Sequence, residues 1–330
     1  MKSYTINYMI IAPEKKCNFM CGHCGFESSP EKTGSMPFNQ ARYYVRQIPE
    51  VECNILQISG PGETFLYKDL DRLIEEAGRV KAKTGYPKKI SLYTNGSWAI
   101  DLEETTKRLM ELKENGLNEL VVSNSQYHQE FSDPKTIKIL EKVGKNKGAP
   151  KIYVGNGSIT ELAPVGRGKN HPGMWQDVMP SCGLTEMVFQ DIDKNLGDRT
   201  VSVSFDGLYQ CCWNRWKIGE LGESLQTVVE RAMKDPLNHL LGDHGVGNTI
   251  RDMKAMGYMK GLNPDANECL LCEEILNNSK LMSELRENSK TMLKKVIRMN
   301  KKEILGDMAV WGEERDNYKK FFDFQESLTV

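Results

Sequence analysis

The sequence predicts an α/β fold: a partial (β/α)6-type parallel barrel, followed by a small cysteine-rich β-hairpin module and C-terminal helices. Three observations carry this. Residues 5 to 155 alternate short apolar β-like runs with helical patterns, as repeated βα units around a parallel sheet do. From Cys182 onward the alternation gives way to cysteines and a hairpin signal. Past Glu273 the apolar residues recur at helical spacing. The chain accordingly divides into a barrel (1–168), a cysteine-rich module (169–275) and a helical extension (276–330).

In chain order, the expected barrel strands are Asn7 to Ala12, Ile55 to Ser59, Lys89 to Thr94, Glu119 to Ser123 and Lys151 to Val154. Helical patterns lie between them, near Asn39 to Ile48, Asp69 to Thr84, Leu102 to Asn115 and Pro134 to Lys145. Turn signals fall at Asn95-Gly96 and Asn115-Gly116. The connection after Val154 is too short for a full helix before Leu162, which leaves the last barrel strand unplaced. Parallel α/β folds bind ligands at the C-terminal ends of their strands, so the site is expected there.

The stretch Cys17-Asn18-Phe19-Met20-Cys21-Gly22-His23-Cys24 follows the first strand and offers three thiols at CxxxCxxC spacing. Thiolate is the ligand that iron-sulfur clusters prefer, and a short loop can wrap three irons of a cube, leaving the fourth iron open. An open metal position marks a working site rather than a structural one. The alternatives are a zinc knuckle or three unrelated buried thiols. Zinc more often shows CxxC pairs, and chance seldom gathers three of nine cysteines within eight residues.

This motif resembles that of the radical S-adenosylmethionine (SAM) enzymes. The resemblance implies a 4Fe-4S cluster on Cys17, Cys21 and Cys24, with SAM on its fourth iron. The second strand runs into Gly60-Pro61-Gly62-Glu63, similar to the Gly-Gly-Glu-like turn with which that family holds the amino group of SAM. Pro61 stands where the family usually has its second glycine. The resemblance extends a cofactor-binding role to Thr94 and Asn95 at the third strand end, and to Ser123 and Asn124 at the fourth, where Asn124 replaces a charged residue of the family. Pro164-Val165-Gly166-Arg167-Gly168 resembles the run that closes many of the family's barrels, and Arg167 either binds a carboxylate or braces the junction. His128 is read as a touch on substrate or as a capping and packing residue.

In the second half, Thr200 to Phe205 and Leu208 to Cys211 flank Asp206-Gly207, a hairpin signal. Cys211 and Cys212 end the hairpin, and Cys269-Leu270-Leu271-Cys272 follows later. Cys182, one of the adjacent pair, Cys269 and Cys272 would supply four ligands for one auxiliary 4Fe-4S cluster, with zinc as the alternative occupant. The arrangement resembles the SPASM and twitch modules of radical SAM enzymes, many of which modify ribosomally made peptides. Neighbouring side chains on a strand point to opposite faces, so Cys211 and Cys212 are not expected to share a cluster. By the resemblance Tyr209-Gln210-Cys211 supplies the ligand and Cys212 is left over. A thiol is a good hydrogen-atom donor to a carbon radical, and the Tyr-x-Cys-Cys run followed by CxxC most resembles radical SAM peptide epimerases. Cys212 is then the candidate donor and Glu186 a candidate carboxylate beside it; a small buried residue and an exposed surface residue are their plain alternatives. Cys53 belongs to no motif and reads as core. Trp213, Trp216 and Trp311 read as core or as a peptide groove.

Lys and Arg balance Asp and Glu to a net charge of −1, which argues against broad electrostatic binding of nucleic acid or of an anionic membrane. The N-terminal residues lack a secretory pattern, and no segment approaches the length of a bilayer span. A cytoplasmic protein is expected, in which cysteines serve metal and redox chemistry rather than disulfides. The resemblance implies a precursor peptide as substrate and an electron donor such as flavodoxin or ferredoxin. The competing functions are oxidative crosslinking of a peptide and, from another class, a cluster-based or zinc-based sensor or scaffold.

Overall fold

A computed structural model describes residues 6–155, 165–172, 200–210, 216–241, 246–258, 261–263, 268–307, 323 and 326–330. The chain forms two compact units: Met1–Trp175 with Thr200–Gln226, and Gln176–Arg199 with Thr227–Val330.

The first unit is built on one eight-stranded sheet. Its strands are β1 (Tyr8–Ile11), β2 (Ile55–Ile58), β3 (Lys89–Thr94), β4 (Glu119–Ser123), β5 (Lys151–Gly155), β6 (Thr200–Ser204), β7 (Gly207–Gln210) and β8 (Lys217–Gly219). The spatial order is β5-β4-β3-β2-β1-β6-β7-β8. Six neighbours run parallel, from β5 through β1 to β6; β7 and β8 are antiparallel. The helices between the strands are α1 (Phe38–Gln47), α2 (Leu70–Thr84), α3 (Leu102–Glu114), the single turn α4 (Gln126–Gln129) and α5 (Pro134–Gly144).

Alternation along the strands builds the core. Met9 and Ile11, Leu56 and Ile58, Ile90 and Leu92, and Leu120 and Val122 are all fully buried, one row per strand. Helices meet that layer with one stripe each: Ala41, Tyr44 and Val45 on α1; Leu70, Leu73, Ile74 and Ala77 on α2; Leu109 and Leu112 on α3; Ile137, Leu140 and Val143 on α5. Each Leu or Ile so buried contributes on the order of 2 kcal/mol. Three helix starts are capped by aspartate: the Asp101 side chain accepts from Glu104 N, Asp133 from Lys135 N and Asp235 from Leu237 N.

The expected barrel strands and helices appear within one or two residues of their predicted bounds. The sixth parallel strand is a difference. It is Thr200–Ser204, which the sequence reading sets inside the hairpin module, and it pairs with β1 from Tyr8↔Thr200 to Ile11↔Val203. All five of its residues are buried, as in strands covered on both faces. The hairpin itself is present, with Phe205 and Asp206 at its turn and Gly207 opposite Ser204. It continues the barrel sheet.

Helix α6 (Leu225–Lys234) follows the sheet. The second unit contains α7 (Pro236–His239), α8 (Val246–Ala255), α9 (Glu268–Asn277) and α10 (Ser279–Asp307). Cys269, Leu271 and Ile275 are buried on α9, and Leu285, Met292, Leu293, Val296 and Ile297 on α10. Asn278 separates the two helices and its Oδ1 accepts from Lys280 N at 3.1 Å and Leu281 N at 3.2 Å. The first of the two expected C-terminal helices therefore begins earlier than predicted, and the CxxC pair lies in its first turns.

Candidate functional site

The site is assembled at the C-terminal ends of β1 to β4. After β1 the chain stays extended and pairs with the turn that follows β2. Gly62 N donates to Glu14 O at 2.9 Å, and Glu63 N to Lys16 O at 2.9 Å. A Cβ at Gly62 would overlap the Lys16 carbonyl, so this close approach of two backbones requires glycine. Pro61 is under no such demand: its carbonyl accepts Ser28 Oγ at 2.6 Å. Glu14, which the sequence reading passed over, is buried, and its Oε1 accepts from Lys15 N at 3.0 Å and Lys16 N at 2.9 Å. It fixes the residues that lead into the thiol loop.

Within the loop, Cys17 N donates to Ser29 O at 3.2 Å and Cys24 N to Cys21 O at 3.1 Å. Cys17, Cys21 and Cys24 pack with Phe19 and Tyr127. Arg167 clamps the loop from behind. Its Nε donates to Cys21 O and its Nη2 to Ser28 O, both at 2.8 Å, while its backbone N donates to Cys24 O at 3.0 Å. Gly166, at φ +52°, sits against the carbonyls of Cys24 and Gly25, where a side chain would collide. Of the two roles foreseen for Arg167, these bonds fit the brace.

All three thiols open on one cavity of about 330 Å³. Every candidate barrel residue except Asn124 lines it: Cys17, Cys21, Cys24, Gly60, Pro61, Gly62, Glu63, Thr94, Asn95, Ser123 and Arg167. Asn124 stands outside the lining, buried, with its carbonyl accepting Gln129 Nε2 at 2.9 Å. His23 and His128 add to the lining. Their rings meet edge to face at 4.9 Å, and His23 stacks on Tyr127 at 4.9 Å. His128 Nδ1 is 2.8 Å from Ser125 Oγ; His23 Nδ1 is buried without a hydrogen-bond partner among the described residues. Cys21, His23 and His128 bring their ligand atoms within 4.8 Å of one another. The signal for His23 was present in the sequence, as an imidazole inside the thiol motif; for His128 nothing local marks which way the ring turns.

Burial governs the charges. It pushes the Cys17 thiol up to about 11, partly opposed by the Phe19 N–H. It pushes Cys21 up to about 12, with the neighbouring Cys17 and Cys24 adding to the rise and Arg167 opposing it. Burial lowers His128 to about 4, helped by His23, and lowers His23, helped by Arg167. The Cys17 and Cys21 thiols, which burial keeps protonated beside two imidazoles and one guanidinium, suit a metal cluster that draws off thiol protons as it binds. Glu63 is fully buried and its pKa is raised by desolvation. Its Oε1 accepts from Thr94 Oγ1 at 2.6 Å and Phe65 N at 3.0 Å, and its Oε2 from Asn95 N at 2.7 Å. The carboxylate thus ties the β2 turn to the end of β3.

Cys269, which is buried, and Cys272 share one side of α9, being three residues apart. Cys182, Glu186, Cys211, Cys212, Trp213 and Trp311 lie outside the described residues.

The first loop of a parallel α/β sheet thus presents three thiols to a cavity, beside a glycine-rich turn. Residues 13–154 match the Radical SAM superfamily. Among characterised sequences the chain is similar to YydG of Bacillus subtilis (strain 168), whose name places it in peptide biosynthesis, at 31% identity over 131 residues. That similarity spans 39% of this chain and 39% of the length of YydG. Among solved structures, BtrN in complex with AdoMet and 2-DOIA superposes with a TM-score of 0.52 at 17% identity, over 74% of this chain and 91% of that one. Native anSMEcpe with bound AdoMet and Cp18Cys peptide gives a TM-score of 0.43 at 16% identity, over 71% and 82% of the two chains. Among the described residues no helix is long and apolar enough to cross a membrane.

Proposed function

We propose that the protein is a radical SAM enzyme that modifies a peptide, and that the modification is inversion at Cα, converting an L to a D residue. One observation carries the enzyme reading: the thiols of the Cys17–Cys24 loop, the Gly60–Glu63 turn and the strand ends at Thr94 and Ser123 line a single cavity. Cys17, Cys21 and Cys24 would hold a 4Fe-4S cluster, which when reduced would supply the electron for cleavage of SAM to methionine and a 5′-deoxyadenosyl radical. The chain's own residues do the holding. Arg167 and Glu14 fix the loop at both ends, Gly60 and Gly62 let the β2 turn lie close against the backbone of residues 14–16 at the cavity, and Glu63, Thr94 and Asn95 hold the β2 and β3 turns together. Ser123 is a hydroxyl-bearing member of the same cavity lining.

The peptide reading is supported by the name of YydG and by the sequence of the second half. In it, hydrogen is removed from one face of a Cα, and the Cys212 S–H returns hydrogen to the other. The thiyl left behind takes one electron and one proton to reset, with Glu186 as a proton carrier and an external flavodoxin or ferredoxin as electron source. Cys182, Cys211, Cys269 and Cys272 are proposed as ligands of one auxiliary cluster, and the cytoplasm as the compartment that keeps these thiols reduced.

Anaerobic reconstitution followed by assay for 5′-deoxyadenosine tests the first claim; a sensor or scaffold with intact clusters would release none. With the precursor peptide, inversion leaves the mass unaltered in light water and adds deuterium in heavy water, whereas crosslinking removes two hydrogens. Cys212→Ala should still form 5′-deoxyadenosine while losing the D product. Unchanged product would remove Cys212 from the reaction.

A further inference from the structure

We propose that Asn95 is a positioning and redox-tuning residue, whose side-chain N–H donates to the Cys17 sulfur and raises the reduction potential of the cluster held there. The inference rests on the reading that Cys17 is a cluster ligand. It assigns Asn95 a partner other than SAM.

The orientation of the Asn95 amide is fixed by a closed set of bonds. Its Oδ1 accepts from Ser97 N at 3.0 Å, so its Nδ2 must face the other way. There Nδ2 donates to Asn18 Oδ1 at 2.9 Å and lies 3.9 Å from Cys17 Sγ. The Asn18 amide is set in turn by its own Nδ2, which donates to Ser97 Oγ at 2.7 Å and thereby turns Oδ1 toward Asn95. Asn95 N donates to Glu63 Oε2 at 2.7 Å, which pins the backbone beneath the side chain. The residue is 6% exposed, so water does not compete for the N–H. Phe19 N supplies a second N–H to the same sulfur at 3.4 Å.

An Asn-Gly turn needs only the Oδ1 to Ser97 bond. The Nδ2 side adds nothing to the turn, yet, held by Asn18, it lies within reach of the Cys17 sulfur. Hydrogen bonds to cluster sulfurs stabilise the more negative, reduced state and so raise the potential. With a donor as long as 3.9 Å the effect is modest.

The test is an anaerobic redox titration of the reconstituted protein without SAM, followed by electron paramagnetic resonance, on wild type, Asn95→Leu and Asn18→Leu. Leu has the shape of Asn and lacks the N–H. In Asn95→Leu the reduced-to-oxidised ratio at a fixed applied potential should fall about threefold, equal to about 28 mV for a one-electron couple. Asn18→Leu, which removes the group that orients the amide, should shift the same way by less. An unmoved potential in Asn95→Leu with wild-type iron content overturns the proposal, because a purely structural residue would change iron uptake and leave the potential alone. If Asn95→Leu takes up no iron, the Asn18→Leu potential decides by the same criterion. Wild type that binds no cluster at all would instead bring down the cluster reading, and this proposal with it.

Discussion

Gly62 shows how much of the site depends on single atoms. The Gly60–Glu63 turn and the thiol loop are joined by Gly62 N to Glu14 O and Glu63 N to Lys16 O, and a methyl group at Gly62 would push the two backbones apart. Gly62→Ala should therefore lose on the order of 1–3 kcal/mol of stability and most of the reconstituted iron. Pro61→Gly, where the backbone is not crowded in this way, should keep its iron. Iron content and urea midpoints of the two variants check this pair together. Cys53 makes the opposite case, a thiol with no site to serve. It is fully buried, donates to Ile55 O at 3.3 Å, and burial pushes it up to about 12 from 9.0. Because the folded pKa is raised, its contribution to stability is complete below pH 9 and is lost as pH rises toward 12. Across that window the unfolding free energy of wild type should fall more steeply than that of Cys53→Val, by up to about 1.4 kcal/mol per pH unit. Denaturant titrations at stepped pH measure the difference. At this scale the sequence revealed what chemistry needs by residue type, such as the thiols, the glycines and Arg167. It was silent on Glu14, on the ring direction of His128 and on the amide of Asn95, because local bonds do not reveal their distant neighbours: Gly62 N on the Glu14 carbonyl, the His23 ring against His128, and the Cys17 sulfur beside Asn95 Nδ2.

Helices α1, α2, α3 and α5 and the five strands from β1 to β5 were legible because each carries its own period and its own end signals. Asp101 illustrates the latter: it precedes α3 and its carboxylate accepts from Glu104 N at 2.9 Å. Asp101→Ala should cost about 1 kcal/mol, and Asp101→Ser much less, in equilibrium urea unfolding. A cost equal for both would mean that the charge near the helix start, rather than the cap bond, matters. The elements the sequence misplaced are those whose partner is not their neighbour in the chain. Thr200–Ser204 reads locally as one arm of a hairpin, and it is one. Its other edge, however, meets β1, almost two hundred residues earlier, and no local pattern encodes that pairing. The CxxC pair precedes Glu273, where the helical spacing was expected to begin, yet Cys269 and Cys272 fall on the first turns of α9.

At the scale of the molecule, four strand ends contribute to one cavity: the loop after β1, the turn after β2, Thr94 and Asn95 closing β3, and Ser123 closing β4. A ligand in that cavity touches four parallel strands at once, and those strands carry the fully buried rows of the first unit's core. Its binding energy is therefore linked to unfolding of the sheet rather than to the opening of one loop. At a SAM concentration about 100 times its dissociation constant, linkage adds about 2.7 kcal/mol. For a domain of this class that raises the melting temperature by about 5–10 °C. Differential scanning calorimetry of the reconstituted protein, with and without SAM, should show this rise in one transition. The Cys17→Ala variant, unable to offer three thiolates, should lose most of it. A rise of equal size in that variant would mean that SAM binds without the cluster, and then the thiol loop is a neighbour of the ligand instead of its anchor.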